Sequence, residues 1–187
     1  NYSDITNTPL SYNENGTGIQ SSSNNASGGY SIAMGRNTTA SGTQSTAMGR
    51  NTTASGTQST AMGYLTTASG TQSTAIGLYT TASGTQSRAM GYNTTASGYI
   101  STAMGTNTTA SGGVSTAMGL GTATQDYAST AIGAYNKTKE TPNPSEFSLQ
   151  NTAFVIGNGT DETRSNAFEV LFDGTTTIAG NVTAPAF

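Results

Sequence analysis

A fourteen-residue unit close to Gly-x-x-Ser-Thr-Ala-Met-Gly-x-Asn-Thr-Thr-Ala-Ser recurs eight times between Gly28 and about Lys137. Gly42–Ser55 reads GTQSTAMGRNTTAS and Gly56–Ser69 reads GTQSTAMGYLTTAS. A short fixed period with fixed small residues predicts one coil of backbone stacked on the next, because a single unit cannot bury a face alone. Charged residues are 8% of the 187, against roughly 25% in ordinary domains. Apolar residues are 33%, and Trp is absent. A core of bulky side chains cannot be built from this, and the strict patterning argues against disorder.

Residue types divide the chain. All six Met lie in the repeats, all five Phe lie from Phe147 onward, and Pro is missing from Leu10 through Thr141. Three parts are read: residues 1–27 as an irregular lead-in, 28–135 as the repeat array, and 136–187 as a linker (Lys137–Ser145) followed by a small β module. Helix is disfavoured in the array, since Gly costs about 1 kcal/mol per helical position. Two strands of five residues are expected per coil, Ser45–Gly49 and Asn51–Ser55. Turns are expected at Gly49-Arg50 and at Gly56-Thr57-Gln58. The fold class is thus all-β, a flattened parallel roll of eight coils about 4.8 Å apart, roughly 38 Å long.

The columns restrict the interior. One column is Ala in every coil, from Ala33 and Ala47 to Ala117 and Ala131, and a facing column holds Ala40, Ala54, Ala68, Ala82, Ala96 and Ala110. Ala47, Ala54, Ala61 and Ala68 are therefore placed between the sheets. Alternation along a strand then turns their neighbours outward. One neighbouring column is Met34, Met48, Met62, Ile76, Met90, Met104, Met118 and Ile132. An outward apolar stripe of that length predicts self-association around a symmetry axis. The opposite parity, with Met inside a self-sufficient monomer, is the alternative.

Ser-Thr-Ala-Met-Gly and Ser-Thr-Ala-Ile-Gly, followed by Thr-Ala-Ser-Gly, resemble the head repeats of YadA-like trimeric autotransporter adhesins across Gly28–Tyr135. The resemblance implies a left-handed β-roll, a homotrimer and an adhesive role outside the cell. Met for most of the Ile, and Thr before Ala, make the implied trimer interface more polar. Near the C-terminus, Asn151–Gly157 (NTAFVIG), Asn158-Gly159-Thr160, Arg164–Leu171 and Asp173-Gly174 resemble a segment of phage tail fibres and related surface fibres. Phe168–Phe172, Asp173-Gly174 and Thr175–Ile178 read as a hairpin whose Phe residues form a small core shared between chains.

Little in the chain points to chemistry. His and Cys are absent, which excludes His-based triads, thiol nucleophiles and the usual zinc sets. No acid occurs between Glu14 and Asp126. The only bases between them, Arg36, Arg50 and Arg88, make no nucleic-acid footprint. No apolar run is long enough for a membrane helix, and Asn1–Gln20 shows no signal peptide. No enzyme, cofactor or metal is assigned; Gly157–Asp161 lacks the acidic spacing of a Ca²⁺ loop.

A fibre segment binding a host glycan or protein receptor is the first reading. Tyr64, Tyr79, Tyr92 and Tyr99, with Arg36, Arg50 and Arg88, are the candidate contact residues. The virion tail fibre or the microbial surface is the expected location. Two alternatives stand beside it. One is an ice-binding solenoid using the Thr38–Thr122 and Thr39–Thr109 ladders. The other is a polysaccharide-degrading spike using acids near Asp161-Glu162 and Glu169/Asp173. Asn15, Asn25, Asn37, Asn51, Asn93, Asn107, Asn136, Asn158 and Asn181 lie in N-glycosylation sequons, a pattern that turn-forming Asn and strand-forming Thr also generate without sugar.

Overall fold

The structure, a computed structural model, describes residues 11–12, 19–20 and 23–180. It is all-β among the described residues, with one 13-stranded and one 8-stranded sheet. Each coil contributes a long strand to the first sheet and a short one to the second, for example Thr46–Arg50 and Thr53–Ala54. Successive coils pair in parallel with every residue opposite its own repeat: Thr46↔Thr60, Ala47↔Ala61, Met48↔Met62, Gly49↔Gly63 and Arg50↔Tyr64. The eight long strands of the array run from Ile32–Arg36 to Thr130–Ala134. The structure is a parallel β-solenoid of about eight coils.

Two details of the coil differ from the sequence reading. Gly49 and Arg50 belong to the strand, and the chain reverses one residue later at Asn51, in the left-handed region at φ 54°. The second strand is Thr53–Ala54, not five residues, because Asn51 at one end and Gly56-Thr57-Gln58 at the other are taken up by the corners. Gln58 is also left-handed, at φ 57°. Left-handed backbone costs an L-residue roughly 1–2 kcal/mol. Bonds between coils offset it: Gln58 N–H donates to Thr43 O at 2.8 Å and Asn51 N–H to Arg36 O at 2.9 Å. Side-chain amides stack as well, with Gln58 Nε2 on Gln44 Oε1, Gln72 on Gln58 and Gln86 on Gln72, each at 3.0 Å.

The glycines have a steric cause. A Cβ on Gly77 would lie 2.0 Å from Gly91 O, and its φ of +130° is closed to other residues. In a second column, Gly28 to Gly112, an added Cβ would likewise lie 2.0–2.1 Å from the carbonyl oxygen of the next coil. That column ends at Asp126, where no further coil of the array follows.

The interior is filled by very small side chains. The alanines of the Ala47 and Ala54 columns have no exposed surface, and the Ser45 and Thr52 columns share that space at 0–2% exposure. Ser31, Ser115 and Ser129 hydroxyls donate to the carbonyl three residues back, at 2.7–2.8 Å. The Thr52, Thr66, Thr80, Thr94 and Thr108 hydroxyls are buried with no partner among the described residues. The Thr38–Thr122 ladder thus points into the roll and cannot face ice; Thr52 and Ala54 are two apart and share the inward side.

At either end of the short-stranded sheet a side-chain amide bonds to the backbone of the adjoining coil. Asn24 Oδ1 accepts from Thr38 N–H at 2.9 Å, and its Nδ2 donates to Gly35 O at 3.0 Å. At the other end Asn136 Oδ1 accepts from Ala123 N–H at 2.8 Å and its Nδ2 donates to Ala123 O at 2.9 Å. Buried Asp126 accepts from the N–H groups of Asn143 and Thr152, both at 2.8 Å, and pairs with Lys139 Nζ at 3.2 Å. Strand Thr152–Asn158 then lies parallel to Thr130–Ala134, in register at Ala131↔Val155 and Ile132↔Ile156. It forms a ninth rung of the long-stranded sheet, and Val155, 3% exposed, covers the end of the Ala interior. Asn166–Leu171 and Thr176–Ile178 follow as an antiparallel hairpin. Its turn carries Gly174 at φ 88° and Asp173 bonded to Thr175 N–H at 2.7 Å, which holds that carboxyl below the ordinary 3.8. Within the lead-in, Ser11–Tyr12 pairs with Ile19–Gln20, which pairs in parallel with Ile32–Ala33.

Two stability predictions follow from this packing. Gly77→Ala should destabilise the roll by about 3 kcal/mol, from steric overlap and the φ penalty together. An unchanged thermal transition would show that adjacent coils can move apart. Thr80→Val keeps the shape and removes an unpartnered buried hydroxyl, so its transition should rise or stay level. A clear drop would show that the hydroxyl is bonded.

Candidate interaction surfaces

The outer face of the long-stranded sheet carries the apolar stripe. Alternation from buried Ala47 turns Met48 outward, and parallel register aligns Met34 through Ile132. The column is half-buried to exposed: Met34 is 37%, Ile76 38% and Met118 37% accessible. The stripe does not stop with the repeats. Register continues it through Ile132↔Ile156, Ile156↔Phe168 and Phe168↔Ile178. The Thr46 column beside it likewise passes through Thr130↔Phe154, Phe154↔Val170 and Val170↔Thr176. The face therefore becomes more apolar at the C-terminal end, where the Phe154 and Phe168 rings meet at 6.3 Å.

Two residues beyond the Met column lies a second column: Arg36, Arg50, Tyr64, Leu78 and Tyr92. Tyr79, at the left-handed corner with φ 58°, reaches into it. The Tyr64 and Tyr79 rings meet edge-on at 5.9 Å, Tyr79 and Tyr92 at 6.1 Å, and the Arg50 guanidinium sits 5.1 Å from the centre of the Tyr64 ring. Five candidate residues, Arg36, Arg50, Tyr64, Tyr79 and Tyr92, thus form one edge of aromatic and cationic groups. The other two are elsewhere. Arg88 stands in the Thr46 column, at the start of the strand that ends in Tyr92. Tyr99 lies on the opposite corner, in the column of Thr57, Thr71 and Thr85.

The acids considered for a spike enzyme are dispersed. Asp161 and Glu162 are exposed in the loop between strands. Glu169 is engaged by Thr152 Oγ1 at 3.2 Å and Asn166 Nδ2 at 3.1 Å, and Asp173 serves its turn. No cluster of three metal-ligating residues occurs among the described residues. Asn136 is buried with its amide nitrogen bonded, so that sequon has no room for a glycan. Asn15 and Asn181 lie outside the described residues.

The roles of Asp126 and Asn136 in holding the end of the array were not read from the sequence. The signal was there as a break in a column, since Asp126 falls in the Gly112 column and Asn136 in the Thr122 column. No helix among the described residues is long and apolar enough to cross a membrane.

The model of the YadA head domain repeat matches residues 26–52, 54–80, 82–108 and 101–122. No curated protein matches the chain. The family match covers the coils whose inward Ala, outward Met or Ile and paired Gly columns define the roll. The chain belongs to the YadA head domain repeat family and is an adhesin-type structural segment.

Proposed function

We propose that the chain is a rigid rod within a trimeric surface or tail fibre, presented outside the cell or on a virion, and used for attachment to a host or surface. The observation that carries this reading is the apolar stripe from Met34 to Ile178, unbroken across repeats and hairpin alike. A stripe of that length on one face favours a partner with the same period, and a further copy of the chain has it. Three copies set around an axis would bury the Met column and the Phe154–Phe168 patch together. The Arg36–Tyr92 edge then borders the interface and offers flat rings and cations to a glycan or protein receptor.

The first test is native mass by light scattering. A mass three times the 18.8 kDa chain is expected. Met62→Lys with Met90→Lys should give a folded monomer, because both side chains are partly solvated in the single chain but would be dry in the trimer. A wild-type monomer, or a trimer indifferent to both lysines, would remove the stripe from the interface. Replacing Tyr64, Tyr79 and Tyr92 together by Ala should weaken attachment to the target surface while the trimer mass is kept; unchanged attachment would clear that edge of a receptor role.

A further inference from the structure

Tyr99 stands where four earlier coils carry Thr, at Thr43, Thr57, Thr71 and Thr85. The next two coils carry Gly113 and Tyr127 at the same position. In this Tyr-Gly-Tyr column the middle coil has no side chain, and the Tyr127 ring leans over buried Gly113. Thr serves this corner elsewhere, so the roll itself does not require the change. Beside Tyr99 and Tyr127 lies a cleft of about 410 Å³ lined by Ser97, Tyr99, Ser111, Tyr127, Pro144 and Ser145. Small-molecule sites span roughly 300–1,000 Å³.

The far wall is held firmly. Gly113 N–H donates to Pro144 O at 2.8 Å, and Tyr127 N–H donates to Asn143 O at 2.7 Å. Asn143 N–H is in turn bonded to buried Asp126 at 2.8 Å. The segment that leaves the array is thereby folded back over this corner. Gly113 is buried beneath this wall: a Cβ there would lie 3.1 Å from the Tyr127 ring and 3.2 Å from Pro144 O, so the absence of a side chain lets both pack down on the coil. Tyr99 is 55% exposed, so its ring is available as a platform.

The lining has two aromatic rings with their phenol hydroxyls, three Ser hydroxyls, of which that of Ser111 donates to Thr124 O at 3.1 Å, and no charge. That chemistry fits a neutral polyhydroxylated ring, whose C–H face stacks on an aromatic and whose hydroxyls exchange bonds with Ser. An anionic sugar or a peptide terminus would find no countercharge in the lining. We propose that the cleft between Tyr99, Tyr127 and Pro144 is a carbohydrate subsite that takes a neutral hexose unit of a longer glycan. This deepens the adhesive reading and rests on it for its biological use, but its geometry lies within one chain.

The test is calorimetric titration of the whole chain with maltohexaose, cellohexaose, mannohexaose and, as the charged comparison, a hyaluronan hexasaccharide. One neutral oligosaccharide should bind, and Tyr99→Thr, the residue of the preceding coil, should weaken it by about tenfold or more. Tyr30→Gln, an exposed change at the other end of the roll that installs the residue of the next coil, should leave binding unchanged. Light scattering and thermal melting of the same samples confirm that each variant is folded. Binding by no neutral sugar, binding indifferent to Tyr99→Thr, or a preference for the charged sugar would each overturn the proposal. A trimer without sugar binding removes this subsite and leaves the fibre reading standing. A monomer that binds sugar through Tyr99 removes the trimer and leaves the subsite.

Discussion

Coil-to-coil contact through two glycine columns is the constraint from which the rest of the roll follows. At Gly77 and Gly84 the next coil's carbonyl oxygen sits 2.0 Å from where a Cβ would be. Backbone touches backbone there, so the coils stack in strict register and every position faces its own repeat. The interior that results is thin. Only Ala, Ser, Thr and Gly fit, and each buries little apolar surface, at about 0.8 kcal/mol per CH₂. Stability must then come mainly from repeated inter-coil hydrogen bonds, each worth about 0.5–1.5 kcal/mol net. These run through strands and left-handed corners alike, as at Asn51 and Gln58.

A structure held by neighbour-to-neighbour bonds is weakest at its ends, where a coil has one neighbour instead of two. An open parallel edge would also invite further strands. Asn24 and Asn136 answer both problems in the same way, with an amide side chain that presents an acceptor and a donor where the next backbone would be. On the long-stranded sheet the solution is different. Asp126 gathers two backbone N–H groups and Lys139, and so fixes the start of Thr152–Asn158 on the last coil. One buried carboxylate thereby sets the register of the C-terminal strands, and with it the continuation of the apolar stripe.

Much of this was legible in the residues. An Ala column without exception, with strand alternation, marked one part of the inside, since a fourteen-residue coil has room only for small side chains. What stayed hidden depended on backbone conformation. Asn51, Leu65 and Tyr79 share one left-handed corner, and no residue type marks it in common. Gly49 looked like a turn because Gly usually supplies one, whereas here it permits a close approach within a strand. Thr52 looked like a surface ladder because Thr is common on exposed strands, yet its distance of two from Ala54 already set it inside. The role of Asp126 was hidden for another reason: its partners Asn143 and Thr152 are 17 and 26 residues away, beyond the reach of a fourteen-residue pattern.

The division between interior and exterior also decides where recognition can occur. Interior columns are fixed by space, so a change there disturbs the coil and its two neighbours. Outer columns carry no such burden: Arg50, Tyr64, Leu78, Tyr92 and Thr106 occupy one position on successive coils with the same backbone register. A roll of this kind is a ruled surface on which side chains can be exchanged at intervals of about 4.8 Å without a change of fold. The Tyr99-Gly113-Tyr127 column uses that freedom to line a cleft, and the Met column gives it up, keeping Met or Ile in all eight coils. Unlike the Gln44–Gln86 column, whose amides bond from coil to coil, the outward Met column makes no side-chain hydrogen bonds that would account for its uniformity within a single chain. A partner with the same repeat supplies a cause, because each rung of the stripe would meet an equivalent rung of another copy.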